Sequence, residues 1–267
     1  MSNPDDEPEL CVKAEEETRK ELMGSLHKLF ENGLYSDLTI KCGPDEYKVH
    51  KAIVSTRSKF FKACDNDFFV EGRTGVVELR EVDPVAVKLM VHFFYHLDYP
   101  HQDPPVKVED ISPGPPSTDA VIRELEDEWN GVVIGLKKKK KRMETYVATG
   151  RAPNLSIHAK VYELGERYGI RGLKALALGK FKGELRYHST SGDFLEAIEV
   201  VYSPDWGNDN DDAMRKAIVQ TINANRSLLN RPAMQDLVRK FNELSFDLVM
   251  HFHRNDSQTG KALWGRP

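Results

Sequence analysis

The stretch Tyr35-Ser36-Asp37-Leu38-Thr39-Ile40, followed by Tyr47-Lys48-Val49-His50-Lys51-Ala52-Ile53-Val54-Ser55-Thr56-Arg57-Ser58-Lys59-Phe60-Phe61, decides the fold. Leu38, Ile40 and Cys42 alternate with their neighbours, the two-residue period of a strand with one buried face. Gly43-Pro44-Asp45 supplies a turn, and Tyr47 and Val49 alternate again, so 35–50 reads as a β-hairpin with Asp37 inside its first strand. The period then changes. Ile53 and Val54, then Phe60 and Phe61, belong to short helical pieces over Ala52–Arg57 and Ser58–Cys64.

Working outward, Leu22, Leu26, Leu29 and Phe30 recur at helical spacing, and Gly33 is a natural left-handed stop, so the spacing predicts an amphipathic helix over 21–32. On the other side, Val77 and Leu79 mark a third strand. Asp83-Pro84 then gives a capping carboxylate followed by proline at the first helical position. The helix behind it carries Val85, Leu89, Phe93 and Leu97 on one stripe, with Met90 and Phe94 beside it. Three short strands cannot cover both their faces, so helices must pack on them, and the fold class is α+β.

Composition changes at Pro100. Pro104-Pro105 and Pro113-Gly114-Pro115-Pro116 break structure around a short acidic helix expected over Ser117–Trp129. Residues 100–153 therefore read as an insertion, expected to be mobile. Order returns with Ile157, Val161 and Leu164 at helical spacing, a Schellman stop at Tyr168-Gly169-Ile170, and a second stripe of Leu173, Leu176, Ala177, Phe181 and Leu185. The two helices form an αα-hairpin. Gly192-Asp193 opens another helix through Tyr202, Asp211 or Asp212 caps one through Asn225, and a last helical stretch covers 231–253 with a break near Asn242. Residues 1–20 are acidic without an apolar period and read as a disordered tail; 256–267 read as a frayed one.

These spaced blocks, in this order, are similar to the hallmark of the BTB/POZ family. His158-Ala159-Lys160-Val161-Tyr162-Glu163-Leu164, with Tyr168-Gly169-Ile170 and Leu173-Lys174, resembles the helical hairpin as fungal-type members write it. The resemblance implies a small three-stranded sheet flanked by helical hairpins, built from 21–99 plus 154–190. Residues 191–255 follow as a C-terminal helical extension that resembles no family we can name. It further implies a protein–protein interaction module, working by self-association, by partner binding or by both. It implies no cofactor and no catalysis.

The resemblance also points to site residues. Asp37 aligns with the family's near-invariant aspartate and Lys51 with its basic position, which in some members lie near each other in a pocket at the dimer floor. The plainer reading makes Asp37 a ligand of backbone amides and Lys51 solvated. Helix 21–32 lies where the family's dimer helix lies, so Leu22, Leu26 and Leu29 face either a second subunit or the chain's own core. Many members exchange an apolar N-terminal strand in their dimers, and residues 1–19 contain none. The family's cullin-3 ubiquitin-ligase adaptors carry an apolar-x-Glu signature, which Ile122-Arg123-Glu124 fits, so a cullin-3 adaptor is an alternative. His50 with Asp37 and Ser55 evokes a catalytic triad, but nothing resembles a nucleophile elbow, and a packed structural histidine is expected.

The run Lys137, Lys138, Lys139, Lys140, Lys141 and Arg142 is a candidate nuclear localisation signal, which makes a nuclear regulatory protein a further alternative; a nucleic-acid or phospholipid contact and a plain solvated loop are others. The net charge of −4 over 267 residues argues against direct nucleic-acid binding by the whole chain. Cys11, Cys42 and Cys64 are widely spaced and show neither metal-ligand nor disulfide-framework spacing. With no apolar run long enough to span a membrane and no signal-peptide pattern, the expected location is nuclear, cytoplasmic or both. Asp205–Asp212 lacks the spacing of a calcium loop and reads as a polar connection.

Overall fold

The computed structural model describes residues 7–66, 68–102, 152–204, 206 and 213–264. The described parts of Met1–Pro100 and Asn154–Pro267 form one compact unit, and His101–Pro153 forms a second. Of that second unit only His101, Gln102, Ala152 and Pro153 are described. The acidic helix over 117–129, Ile122-Arg123-Glu124 and the basic run 137–142 lie outside the described residues, as do Asp211 and Asp212.

Helix α1 (Glu7–Asn32) leads to the hairpin of β1 (Leu38–Cys42) and β2 (Asp45–Val49). Helices α2 (Lys51–Arg57), α3 (Lys59–Cys64) and α4 (Val70–Thr74) then carry the chain across to β3 (Val76–Glu78). The sheet order is β2-β1-β3. β1 runs antiparallel to β2, with Ile40 opposite Tyr47, and parallel to β3, with Ile40 opposite Val77. A parallel neighbour cannot follow a tight turn, which is why three helices intervene.

Helix α5 (Pro84–His96) begins as the sequence predicts: the Asp83 carboxylate accepts from Val85 N–H at 2.8 Å and Ala86 N–H at 3.2 Å, with proline at the first position. Burial opposes ionisation of Asp83. The Lys160 ammonium at 2.6 Å and the two amides outweigh it and hold the carboxyl below its usual range.

Across the insertion, α6 (Leu155–Arg167) and α7 (Arg171–His188) form the helical hairpin. Its turn is a Schellman motif: Gly169 has φ +67°, Ile170 N–H reaches Gly165 O at 2.7 Å, and Gly169 N–H reaches Glu166 O at 3.1 Å. The residues that flank the insertion are fastened to α7. Lys180 donates to the Tyr99 carbonyl at 3.0 Å and pairs with Asp98 at 2.8 Å. One turn further on, Glu184 accepts the Asn154 N–H at 2.7 Å. Asp193, from the next helix, accepts the Leu155 N–H at 2.5 Å and caps the start of α6.

Helices α8 (Gly192–Val201), α9 (Ala213–Ala224), α10 (Pro232–Lys240) and α11 (Asn242–Trp264) complete the same compact unit. Ser191 caps α8 by accepting the Phe194 N–H at 3.2 Å. Tyr202 donates to Asp247 at 3.0 Å, and Arg215 lies 4.8 Å over the Tyr202 ring while pairing with Glu243 at 2.7 Å.

Four elements differ from the sequence reading. α1 starts at Glu7, so residues 7–20 are helical rather than a disordered tail. Ala14 to Lys20 are all exposed, so no apolar period is needed there, and the support is helix propensity and pairs such as Lys20–Glu16 at 3.0 Å. α11 runs to Trp264 instead of fraying at 256: extending a nucleated helix adds one hydrogen bond per residue fixed, whereas starting one is costly. α4 has no counterpart in the sequence reading, being a single turn with no buried residue. Asp37 lies just before β1 rather than within it.

Candidate functional site

The residues singled out at the start of the domain gather where α1, the hairpin and α5 meet. Gly33, with φ +60°, ends the last turn of α1 by donating to Leu29 O at 3.0 Å and swings the chain into the hairpin. Phe30 of α1 stacks on Tyr95 of α5 with ring centroids 5.0 Å apart. The Tyr95 hydroxyl accepts the His50 N–H at 2.9 Å and lies 2.8 Å from His50 Nδ1. His50 Nε2 lies 2.7 Å from the Leu34 carbonyl, which can only accept, so Nε2 carries the proton and the Tyr95 hydroxyl donates to Nδ1. Burial pushes the Tyr95 phenol up to about 12, so it stays a donor at ordinary pH.

This arrangement ties α1, the hairpin and α5 together and commits both His50 ring nitrogens to hydrogen bonds. Ser55 Oγ reaches toward Phe61 O at 3.5 Å instead of toward His50. The triad suggested by residue type is therefore not assembled.

Asp37 and Lys51 are brought together through the Lys51 backbone. The exposed Asp37 carboxylate accepts the Lys51 N–H at 2.8 Å, supplying from outside the side-chain cap that His50 does not give α2. The Lys51 ammonium pairs with Asp65 at 2.7 Å. Leu22 is 62% exposed, whereas Leu26 and Leu29 are half-buried, so the stripe is only partly covered.

Sequence reasoning missed two exposed apolar features. Phe68 and Phe69, between α3 and α4, and Val70, which opens α4, are 91%, 54% and 61% exposed. Phe246 and Val249 present their side chains on one turn of α11. The consecutive aromatics were visible in the sequence, but a run of that kind more often marks core than surface. An open groove of about 590 Å³ between the α5 start, α6 and α8 is lined by charges that pair with one another, Lys160 with Asp83 and Arg167 with Glu163.

Residues 26–107 match the family model described as the BTB/POZ domain. TD and POZ domain-containing protein 4 of Mus musculus is 34% identical over 84 residues, covering 32% of this chain and 23% of that protein. BTB/POZ and MATH domain-containing protein 6 of Arabidopsis thaliana is 25% identical over 166 residues, covering 61% of this chain and 39% of that protein. The chain thus spans only 23% to 24% of the length of the first mouse relatives it matches. Among solved structures, the BTB domain of zebrafish PATZ1 aligns with 61% of this chain and 90% of that chain at 12% identity and a TM-score of 0.35. The matched family model, the relatives that share it and the hairpin that carries its hallmark residues together show that the chain contains a BTB/POZ domain, a protein–protein interaction module, at residues 26–107.

Proposed function

We propose that the chain is a non-catalytic scaffold that self-associates through α1, with 21–99 and 154–190 as its interaction unit and 191–255 as an appended helical layer. The observation that supports this reading is the placement of α1. Phe30 anchors its C-terminal end on α5, while Leu22, 62% exposed, continues the apolar stripe of Leu26 and Leu29 into solvent. A large exposed aliphatic group beside half-buried ones is the kind of anchor that a second subunit covers.

Size exclusion with light scattering tests it. The intact chain is expected to run as a dimer at tens of micromolar, and Leu22→Glu with Leu26→Glu is expected to give a folded monomer. A monomer already in the unsubstituted chain, or a dimer that survives both substitutions, would remove α1 as the self-association surface. The cullin-3 and nuclear readings rest on Ile122-Arg123-Glu124 and on Lys137–Arg142, and the described residues lend them no support.

A further inference from the structure

α1 is held on α5 by rings, and three of them are imidazoles. His27 of α1 stacks on His96 with centroids 4.0 Å apart and planes 15° apart, and His96 stacks in turn on His92 at 3.8 Å and 15°. Phe30 packs T-shaped with His96 at 5.5 Å and with His92 at 6.2 Å between centroids. His92 Nδ1 lies 2.8 Å from the Asp98 carbonyl and His96 Nδ1 lies 3.2 Å from the His92 carbonyl. Carbonyls only accept, so both rings carry a proton on Nδ1 and keep Nε2 as the basic atom. His27 Nε2 is buried with no hydrogen-bond partner among the described residues. Near-parallel planes send the ring lone pairs side by side rather than to one point. Accordingly, no metal-holding group of three ligands assembles among the described residues.

Neutral rings stack favourably; charged rings this close repel one another. A proton on His27 Nε2 would also leave a buried donor without an acceptor. The groups that favour positive charge here are Glu31 on α1, the Asp98 carboxylate (already shared with Lys180 of α7) and the C-terminal end of α5. Tyr95 adds no charge at ordinary pH. Burial first, and then the charges of His92 and His27, hold His96 below its ordinary range, against the His92 carbonyl and Glu31.

We propose that the His27–His96–His92 stack is a proton-sensitive latch that holds α1 on α5 near neutral pH and releases it under mild acid. Once α1 lifts, the His96 ring returns to water and binds a proton more readily than in the stack. Docking is therefore complete above the free imidazole value of about 6.5 and is lost as the pH falls below it. The latch concerns contacts within one chain and stands whether or not α1 binds a second subunit.

Hydrogen exchange on the intact chain tests it, comparing protection over 22–32 with protection in α7 at about pH 7.5 and about pH 5 after correction for intrinsic rates. In the unsubstituted chain α1 protection is expected to fall about tenfold more than that of α7 on acidification. The H27F/H92F/H96F variant, which keeps rings but cannot take up protons, is expected to lose that difference. Equal changes in α1 and α7, or an α1-specific loss that persists in the folded phenylalanine variant, would overturn the latch. If that variant fails to fold, the imidazole resonance of His96 in the unsubstituted chain decides the matter: titration below the free value supports the latch, and titration at or above it overturns it.

Discussion

Replacing Phe61 by alanine is expected to cost about 3–5 kcal/mol of stability, read as a lower urea midpoint at unchanged slope. Phe61 is completely buried in α3. Its ring lies 6.0 Å from Phe94 of α5, 6.0 Å from Tyr168 at the turn of the α6–α7 hairpin, and 5.3 Å from Phe60. The neighbouring Ser58 hydroxyl donates to the Tyr168 carbonyl at 2.6 Å and accepts the Phe61 N–H at 3.2 Å. Truncation would therefore open a cavity between elements from both sides of the insertion. The single unfolding transition should move as a whole. A loss below about 1 kcal/mol would mean that the cluster is not packed as described.

The second large effect is expected at Gly165, where propensity and packing oppose each other. Alanine is favoured over glycine inside a helix by about 1 kcal/mol. A methyl group on Gly165, however, would lie 2.8 Å from Lys174 N and 3.0 Å from Lys174 Cα, both backbone atoms of α7 that cannot swing aside. Overpacking of this kind costs about 1–3 kcal/mol, so Gly165→Ala should destabilise despite the gain in propensity. Gly179 and Gly183 are helical glycines of α7 with nothing within 4 Å of such a methyl, and alanine at either should stabilise. If Gly165→Ala melted with the Gly179→Ala control, the close approach of α6 and α7 would be refuted.

The physical signals explain which parts of this fold were legible beforehand. The hairpin could be read because Leu38, Ile40 and Cys42 alternate on a sheet that is buried on one face. The start of α5 was written in Asp83-Pro84, and the hairpin turn in Gly169-Ile170, because capping and left-handed backbone depend on particular residue types. The stretch Ala14 to Lys20 of α1 was not legible, since a run of exposed residues has no apolar period to display. Contacts distant in sequence were equally hidden. Nothing in the pattern joins Asp37 to the amide of Lys51, or places His27 on His96. A histidine at a helical position reads as polar surface until the facing helix is known, although the four-residue spacing of His92 and His96 does put both on one face of α5.

The same limits apply to the candidate site. Asp37 meets Lys51 at its backbone amide, as the plainer reading of a backbone ligand has it, and the Lys51 ammonium sits on Asp65 rather than on Asp37. Leu22 is the member of the α1 stripe left most open to solvent.

Chain segments on either side of the insertion are expected to make one cooperative unit. A protease site placed within 103–151, cut in the folded protein, tests this directly. The two pieces are expected to co-elute on size exclusion without denaturant and to unfold together in a single transition. Pieces that separate on the column, or that melt independently of each other, would contradict it.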